Sequence, residues 1–194
     1  MKKLLVVLMT ILITLSLAGC GKNSPKDTAE ELFEAIKNTD QKVLDKIYLG
    51  EAGENSIISD LIEIIEETES LGSIGESFRK SFLDFKYKVK DVEEDGDTAI
   101  AKVEVTTENW AKVLPNAIVL ISAKALSMTL DGKSEKEMEK AFKEIYEEQR
   151  KETDDVTFNL DIKLVKDEGE WKVDLSNEAG AILNAVTGGL GYWY

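Results

Sequence analysis

Carboxylates are the only abundant acid–base side chains in this 194-residue sequence: 38 Asp and Glu stand against 24 Lys and Arg, with no histidine and one cysteine. Glu63, Glu66, Glu67 and Glu69 form one group, and Glu144, Glu147 and Glu148 another. Two carboxylates can hydrolyse a glycoside when one is buried and its pKa raised. Both groups instead fall on helical faces interleaved with Lys and Arg, the pattern of a solvated surface. The missing histidine excludes Ser-His-Asp and Cys-His nucleophile pairs and an imidazole metal site. One cysteine excludes an internal disulfide and a thiolate zinc cluster. A net charge of −14 lacks the basic footprint of a nucleic-acid binder. The expectation is a non-enzymatic protein with no catalytic residue, no cofactor and no nucleic-acid partner.

Calcium is the natural metal for so acidic a surface, yet an EF-hand loop requires Asp-x-[Asp/Asn]-x-[Asp/Asn]-Gly with a distal Glu. Asp95-Gly96-Asp97 and Asp167-Glu168-Gly169-Glu170 do not match it and read as hairpin turns, so no metal site is expected.

Lysines gather where the strands face water. Lys86, Lys88, Lys90, Lys102, Lys163 and Lys172 take outward positions beside Glu104, Asp161 and Asp174, whereas residues 25–84 hold six basic against fifteen acidic side chains. The open face of the sheet is therefore expected to be locally basic. Cross-strand ion pairing that protects wet strands explains it. So does a docking face for an anionic polymer, lipid headgroups or an acidic partner.

The elements that position these residues follow from periodicity. Ser24-Pro25-Lys26-Asp27 supplies an N-cap, a proline at the first helical position and an acid in the first turn. Ala29, Leu32, Phe33 and Ile36 then share a face. Further helices are expected from Thr39 or Asp40 to near Gly50, over about 56–71, and around 76–83. The period then falls to two. Phe85, Tyr87 and Val89 begin one hairpin that Ala99, Ala101, Val103 and Val105 complete; Phe158, Leu160, Ile162 and Leu164 begin another, completed by Trp171, Val173 and Leu175. Tyr87, Phe158 and Trp171 all point to the inner face and are the candidate lining of a pocket. Between the hairpins, residues 116–130 are apolar on most sides and predict a buried helix, too short and too charged at Lys124 for a membrane span. Ser134-x-x-Glu137 is a capping box that opens another helix to about Lys151, and a short helix over about 177–187 stops at Gly188-Gly189. Segregated helices and antiparallel strands make the chain α+β.

The N-terminus carries two lysines, an apolar run from Leu4 to Ala18, and Leu17-Ala18-Gly19-Cys20. This resembles a bacterial lipobox, in which Leu17, Ala18 and Gly19 would guide the signal peptidase and Cys20 would carry the lipid. Residues 1–19 then form a removable leader and 20–24 a short tether. Residues 25–194 form a single domain with a helical insertion over 108–152. Loss of Lys2 and Lys3 takes the net charge to −16. The tail Leu190-Gly191-Tyr192-Trp193-Tyr194 would fold back on the domain or sit at a membrane interface.

N-terminal helices before a curved antiparallel sheet of about four strands, with a late Trp171-Lys172-Val173 strand, resemble the cystatin-like cone of the nuclear-transport-factor-2-like superfamily. The lipobox, Ser24-Pro25 and the Asn184-Ala185-Val186-Thr187-Gly188-Gly189 stretch are similar to uncharacterised lipoproteins of Gram-positive bacteria in domain-of-unknown-function families. The resemblance implies a domain held by lipid on the outer face of the cell membrane, binding a protein or small ligand, with no chemistry to carry over. Its alternatives are an assembly subunit without a pocket and a carboxylate-dependent hydrolase.

Overall fold

The computed structural model describes residues 23–49, 61, 73–176 and 178–192. Helix α1 (Pro25–Lys37) opens as its sequence dictates. The Ser24 hydroxyl accepts from the Asp27 N–H at 3.1 Å, and the Asp27 carboxylate accepts from the Ser24 N–H at 3.1 Å. The Ser24 hydrogen bonds hold the Asp27 carboxyl below its ordinary pKa. Thr28, Ala29, Leu32, Phe33, Ala35 and Ile36 form its buried face. Helix α2 (Gln41–Ile47) is capped by the Asp40 carboxylate on the Val43 N–H and buries Leu44 and Ile47. The helix expected over 56–71 lies outside the described residues, except for a fully buried Leu61. Helix α3 (Ser73–Phe82) buries Phe78 and Phe82, whose rings stack at 4.8 Å.

Strands β1 (Lys86–Asp95), β2 (Thr98–Thr107), β3 (Val156–Asp167) and β4 (Glu170–Val173) form one antiparallel sheet in the order β1-β2-β3-β4. The two expected hairpins are thus fused: β2 pairs with β3 from Thr98↔Val165 to Thr107↔Val156. Helix α1 lies across the inner face from β4 to β1. The core between them holds Leu32, Phe33, Ile36, Phe85, Val103, Val105, Ile162, Leu164 and Val173. Burying each such side chain contributes about 1.5–3 kcal/mol. The arrangement is the expected α+β one.

Two helices connect β2 to β3. Helix α4 (Trp110–Leu130) begins a turn and a half before the expected start at Asn116, with Pro115 inside it. Pro115 has no N–H to offer the ladder, but Trp110 and Val113 ahead of it are almost fully buried and fix the first turn to the core. The expectation of a buried helix is corrected. Trp110, Val113, Ala117 and Met128 are buried, while Ile118, Val119, Leu120, Leu126 and Leu130 are exposed at 61, 67, 45, 67 and 80%. By length and composition α4 is able to cross a membrane. An all-round apolar helix signals cover from some neighbour, and among the described residues helix α5 (Glu135–Glu152) packs along it. Helix α5 carries the predicted capping box between Ser134 and Glu137, which together with Lys133 draws the Glu137 carboxyl down to about 2.

Helix α6 (Ala179–Val186) ends at Thr187, whose hydroxyl donates to the Leu183 carbonyl at 2.7 Å, and the chain turns through Gly188 and Gly189 at positive φ. A 3-10 turn over Leu190–Tyr192 packs back on α6, so that a Cβ on Gly191 would meet Asn184 backbone at 2.6 Å. Trp193 and Tyr194 lie outside the described residues, as do Leu17, Ala18, Gly19 and Cys20.

Candidate functional site

Lys26, Glu30, Glu34 and Lys37 recur every three to four residues along one side of α1. Lys86, Tyr87, Lys88 and Val89 of the edge strand β1 lie opposite, and together the eight residues line an open groove of about 600 Å³. The Tyr87 hydroxyl donates to Glu34 Oε1 at 2.8 Å, with the Glu30 carbonyl 3.3 Å away, and its ring stacks on Phe33 at 5.2 Å. Burial first, and the Glu34 carboxylate second, push the phenol above its ordinary pKa. The hydroxyl therefore stands protonated and donates to the carboxylate. Lys26 reaches Glu30 at 3.5 Å, and Lys37 lies 5.6 Å from the centre of the Phe85 ring. Chemically the groove is a polar clamp, with ammonium groups on its rim and carboxylates between them.

The three candidate pocket residues do not converge. Tyr87 and Phe158 share one row of the inner face through Val105, which pairs with both. Trp171 sits opposite Lys166 on β4, eight β3 residues from Phe158 and so on the order of 25 Å along the strand. Lys166 covers its ring at 5.4 Å, and the Asn23 side chain bonds its backbone N–H and carbonyl, each at 3.4 Å. Phe33, Ile36, Val103 and Ile162 are buried together in the core between α1 and the sheet.

The six lysines of the outer face divide. Lys90 pairs with Glu104 at 2.8 Å, Lys163 with Asp174 at 2.8 Å and Lys102 with Glu93, while Lys172 donates to the Lys46 carbonyl at the end of α2. Lys86 and Lys88 have no ion pair among the described residues and stand on the groove. The register shifts between Val89 and Asp91, a bulge that carries β1 on to Asp95. Asp91 comes opposite Lys102 and Glu93 opposite Ile100, so both acids join the outer face, and the Glu93 bond raises the Lys102 pKa. Simple alternation missed these two acids, because a bulge has no period.

Two of the candidate glutamates of α5 have polar partners. Glu147 accepts from the Ser77 hydroxyl at 2.6 Å and from Arg150 at 3.3 Å, and Glu144 lies 3.8 Å from Lys140. Glu63, Glu66, Glu67 and Glu69 fall outside the described residues. Among the described residues no group of three or more Asp, Glu, His or Cys side chains is placed to hold a metal ion. Sequence reasoning also missed the clasp at the root of α4. Arg150 binds both Glu108 oxygens, Nε to Oε2 at 2.8 Å, and lies 5.8 and 5.7 Å from the ring centres of Trp110 and Tyr146. An Arg and a Glu 42 residues apart leave no local signal.

The family described as Domain of unknown function (DUF4878) matches residues 18–123, more than half of the chain, and the chain belongs to that family. No curated protein matches the sequence. The chain is similar to the crystal structure of a candidate lipoprotein, ycdA, from Bacillus subtilis, at 14% identity and a TM-score of 0.41. The similarity covers 84% of this chain and 59% of that one.

Proposed function

We propose that this DUF4878 member is a lipid-anchored extracytoplasmic protein whose domain is a non-enzymatic interaction module. The anchor reading rests on Leu17-Ala18-Gly19-Cys20 after a basic and apolar leader. Two acyl chains on Cys20 would give stable attachment, at about 0.8 kcal/mol per buried CH₂. The interaction reading is carried by one observation: the inner face is packed with side chains while α4 exposes five large apolar ones. Separation of Tyr87 and Phe158 from Trp171 favours an assembly subunit over a carrier of an enclosed ligand. The contacts of Glu147 with Ser77 and of Glu144 with Lys140 support a structural role for these carboxylates over a hydrolytic one.

The experiment follows the full chain in bacterial cells fed a labelled fatty acid. Wild type should take up label and partition into detergent, and Cys20→Ala should do neither. Equal partitioning of the two would overturn the anchor. Affinity capture of the intact protein after crosslinking on cells should return a covalent protein adduct, and its absence would overturn the interaction module.

A further inference from the structure

The exposed side of α4 is a second seam. At 100° per residue, Val119, Ala123, Leu126 and Leu130 lie within about 60° of one another around the helix axis. Ala117, Ile121 and Met128 lie on the opposite side, where Ala117 and Ile121 join the core and Met128 is buried. The outer spacing of four, three and four is that of residues that meet a partner helix. Ser122 and Thr129 donate their hydroxyls to the Ile118 and Ala125 carbonyls at 2.7 and 2.8 Å, so they ask nothing of a neighbour. Helix α4 has no acidic residue, in a chain of net charge −14.

We propose that this seam binds the same seam of a second copy, joining two α4–α5 hairpins into a four-helix bundle. The inference rests on the interaction-module reading. A two-fold contact needs a patch complementary to itself, and Val119, Ala123, Leu126 and Leu130 bring no like charges together across one. The seam and its flanks Ile118 and Leu120 expose on the order of 500 Å² of apolar surface, near the upper end of the largest patch on a typical monomer, which is often functional. Two such patches bury about 1,000 Å², the lower bound for a specific interface. Ala123, small and central, lets two backbones approach.

A bilayer fits less well. The exposed stretch 118–130 rises only about 20 Å, against a hydrocarbon core of about 30 Å. The charged α5 runs beside it. Asn23, next to the proposed tether, contacts Trp171 near the β3–β4 turn, whereas α4 leaves the sheet beyond Thr107, at the other end of β2. A ten-residue strand separates those ends by about 33 Å.

The test uses the full chain in bacterial cells. A cysteine is placed by Val119→Cys or Leu126→Cys, with Lys88→Cys as a control on the sheet and wild type as the control for Cys20. A short bis-maleimide should give a covalent homodimer from both α4 variants and none from the controls. Adding Leu130→Glu to Leu126→Cys should remove the dimer band while the helical circular dichroism of the purified chain is unchanged. Monomer alone from both α4 variants at wild-type abundance overturns the proposal. So does crosslinking to a different protein, or labelling of Leu126→Cys by a bilayer-soluble probe without a dimer. Detergent partitioning of the same cells separates the two readings. A dimer in chains that do not partition supports the seam and rejects the anchor. Partitioning without a dimer rejects the seam and keeps the anchor.

Discussion

Arg150 grips Glu108 through two guanidinium nitrogens, joining the last turns of α5 to the segment between β2 and α4. Arg150 and Glu108 are mostly shielded from water, with side-chain exposures of 22 and 25%. Glu147, itself bonded to Ser77 of α3, holds the guanidinium from a third side. Three elements thus meet at one cation, which also lies over Trp110 and Tyr146. Charge-assisted bonds of this kind contribute about 1.5–3 kcal/mol. Arg150→Met should lower the melting temperature by roughly 5 °C, and Glu108→Gln by less. A double variant no worse than Arg150→Met would place the loss in this pair, and additive losses would exclude the coupling.

Gly188 is the one residue type its position permits. Its φ is +57°, and a Cβ there would lie 2.0 Å from the Glu108 carbonyl oxygen and 2.9 Å from the Trp110 side chain. Its own carbonyl accepts from the Ala111 N–H at 3.1 Å, so the turn after α6 clamps the start of α4. Gly188→Ala combines backbone strain with overlap against backbone and should cost about 3 kcal/mol or more. Gly180→Ala, with nothing within 4 Å of the new carbon, should not destabilise. Urea unfolding of the two variants provides the comparison, and equal midpoints would refute it.

Much of this was legible where the cause is local. The Ser24–Asp27 and Ser134–Glu137 boxes announce their helices, and the hairpin turns at Gly96 and Gly169 appear where the period is two. The bulge at Lys90 was not legible, because the extra residue is defined by its partner strand, and so Asp91 and Glu93 were missed on the outer face. Apolar residues around α4 announced cover without naming its source, hence the expectation of burial. Phe158 and Trp171 share a side of the sheet, yet register and strand length, absent from the pattern, set them apart.

Helix α4 offers a direct comparison of two large apolar residues. Met128 is 7% exposed, and Leu130, two residues on, is 80% exposed. Met128→Ala leaves a cavity and should cost about 2 kcal/mol or more. Leu130→Ala should stay within about 0.5 kcal/mol in dilute protein. Chemical denaturation of both variants at low concentration checks this, and equal losses would mean that Leu130 is covered within its own chain.

Asp174 makes stability depend on acid. Its carboxylate accepts from Lys163 at 2.8 Å, from the Ser176 hydroxyl at 2.6 Å and from the Ser176 N–H at 3.1 Å, which draws its pKa down to about 2. An unfolded Asp titrates near 3.9, so the folded protein favours the ionised form. The resulting stability is complete above that unfolded value and drains away as pH falls toward 2. Glu137, also at about 2, acts in the same window. Nearby Glu178 acts with the opposite sign, since burial, and then the charge of Asp174, raise its pKa. Asp174→Asn should therefore melt below wild type at neutral pH, and the gap should close between about pH 4 and pH 2. Glu178→Gln should melt above wild type at neutral pH and converge with it in acid. Melting curves from pH 7 to 2 test both signs at once, and a gap for Asp174→Asn that stays constant with pH would show that the loss is one of packing and not of charge.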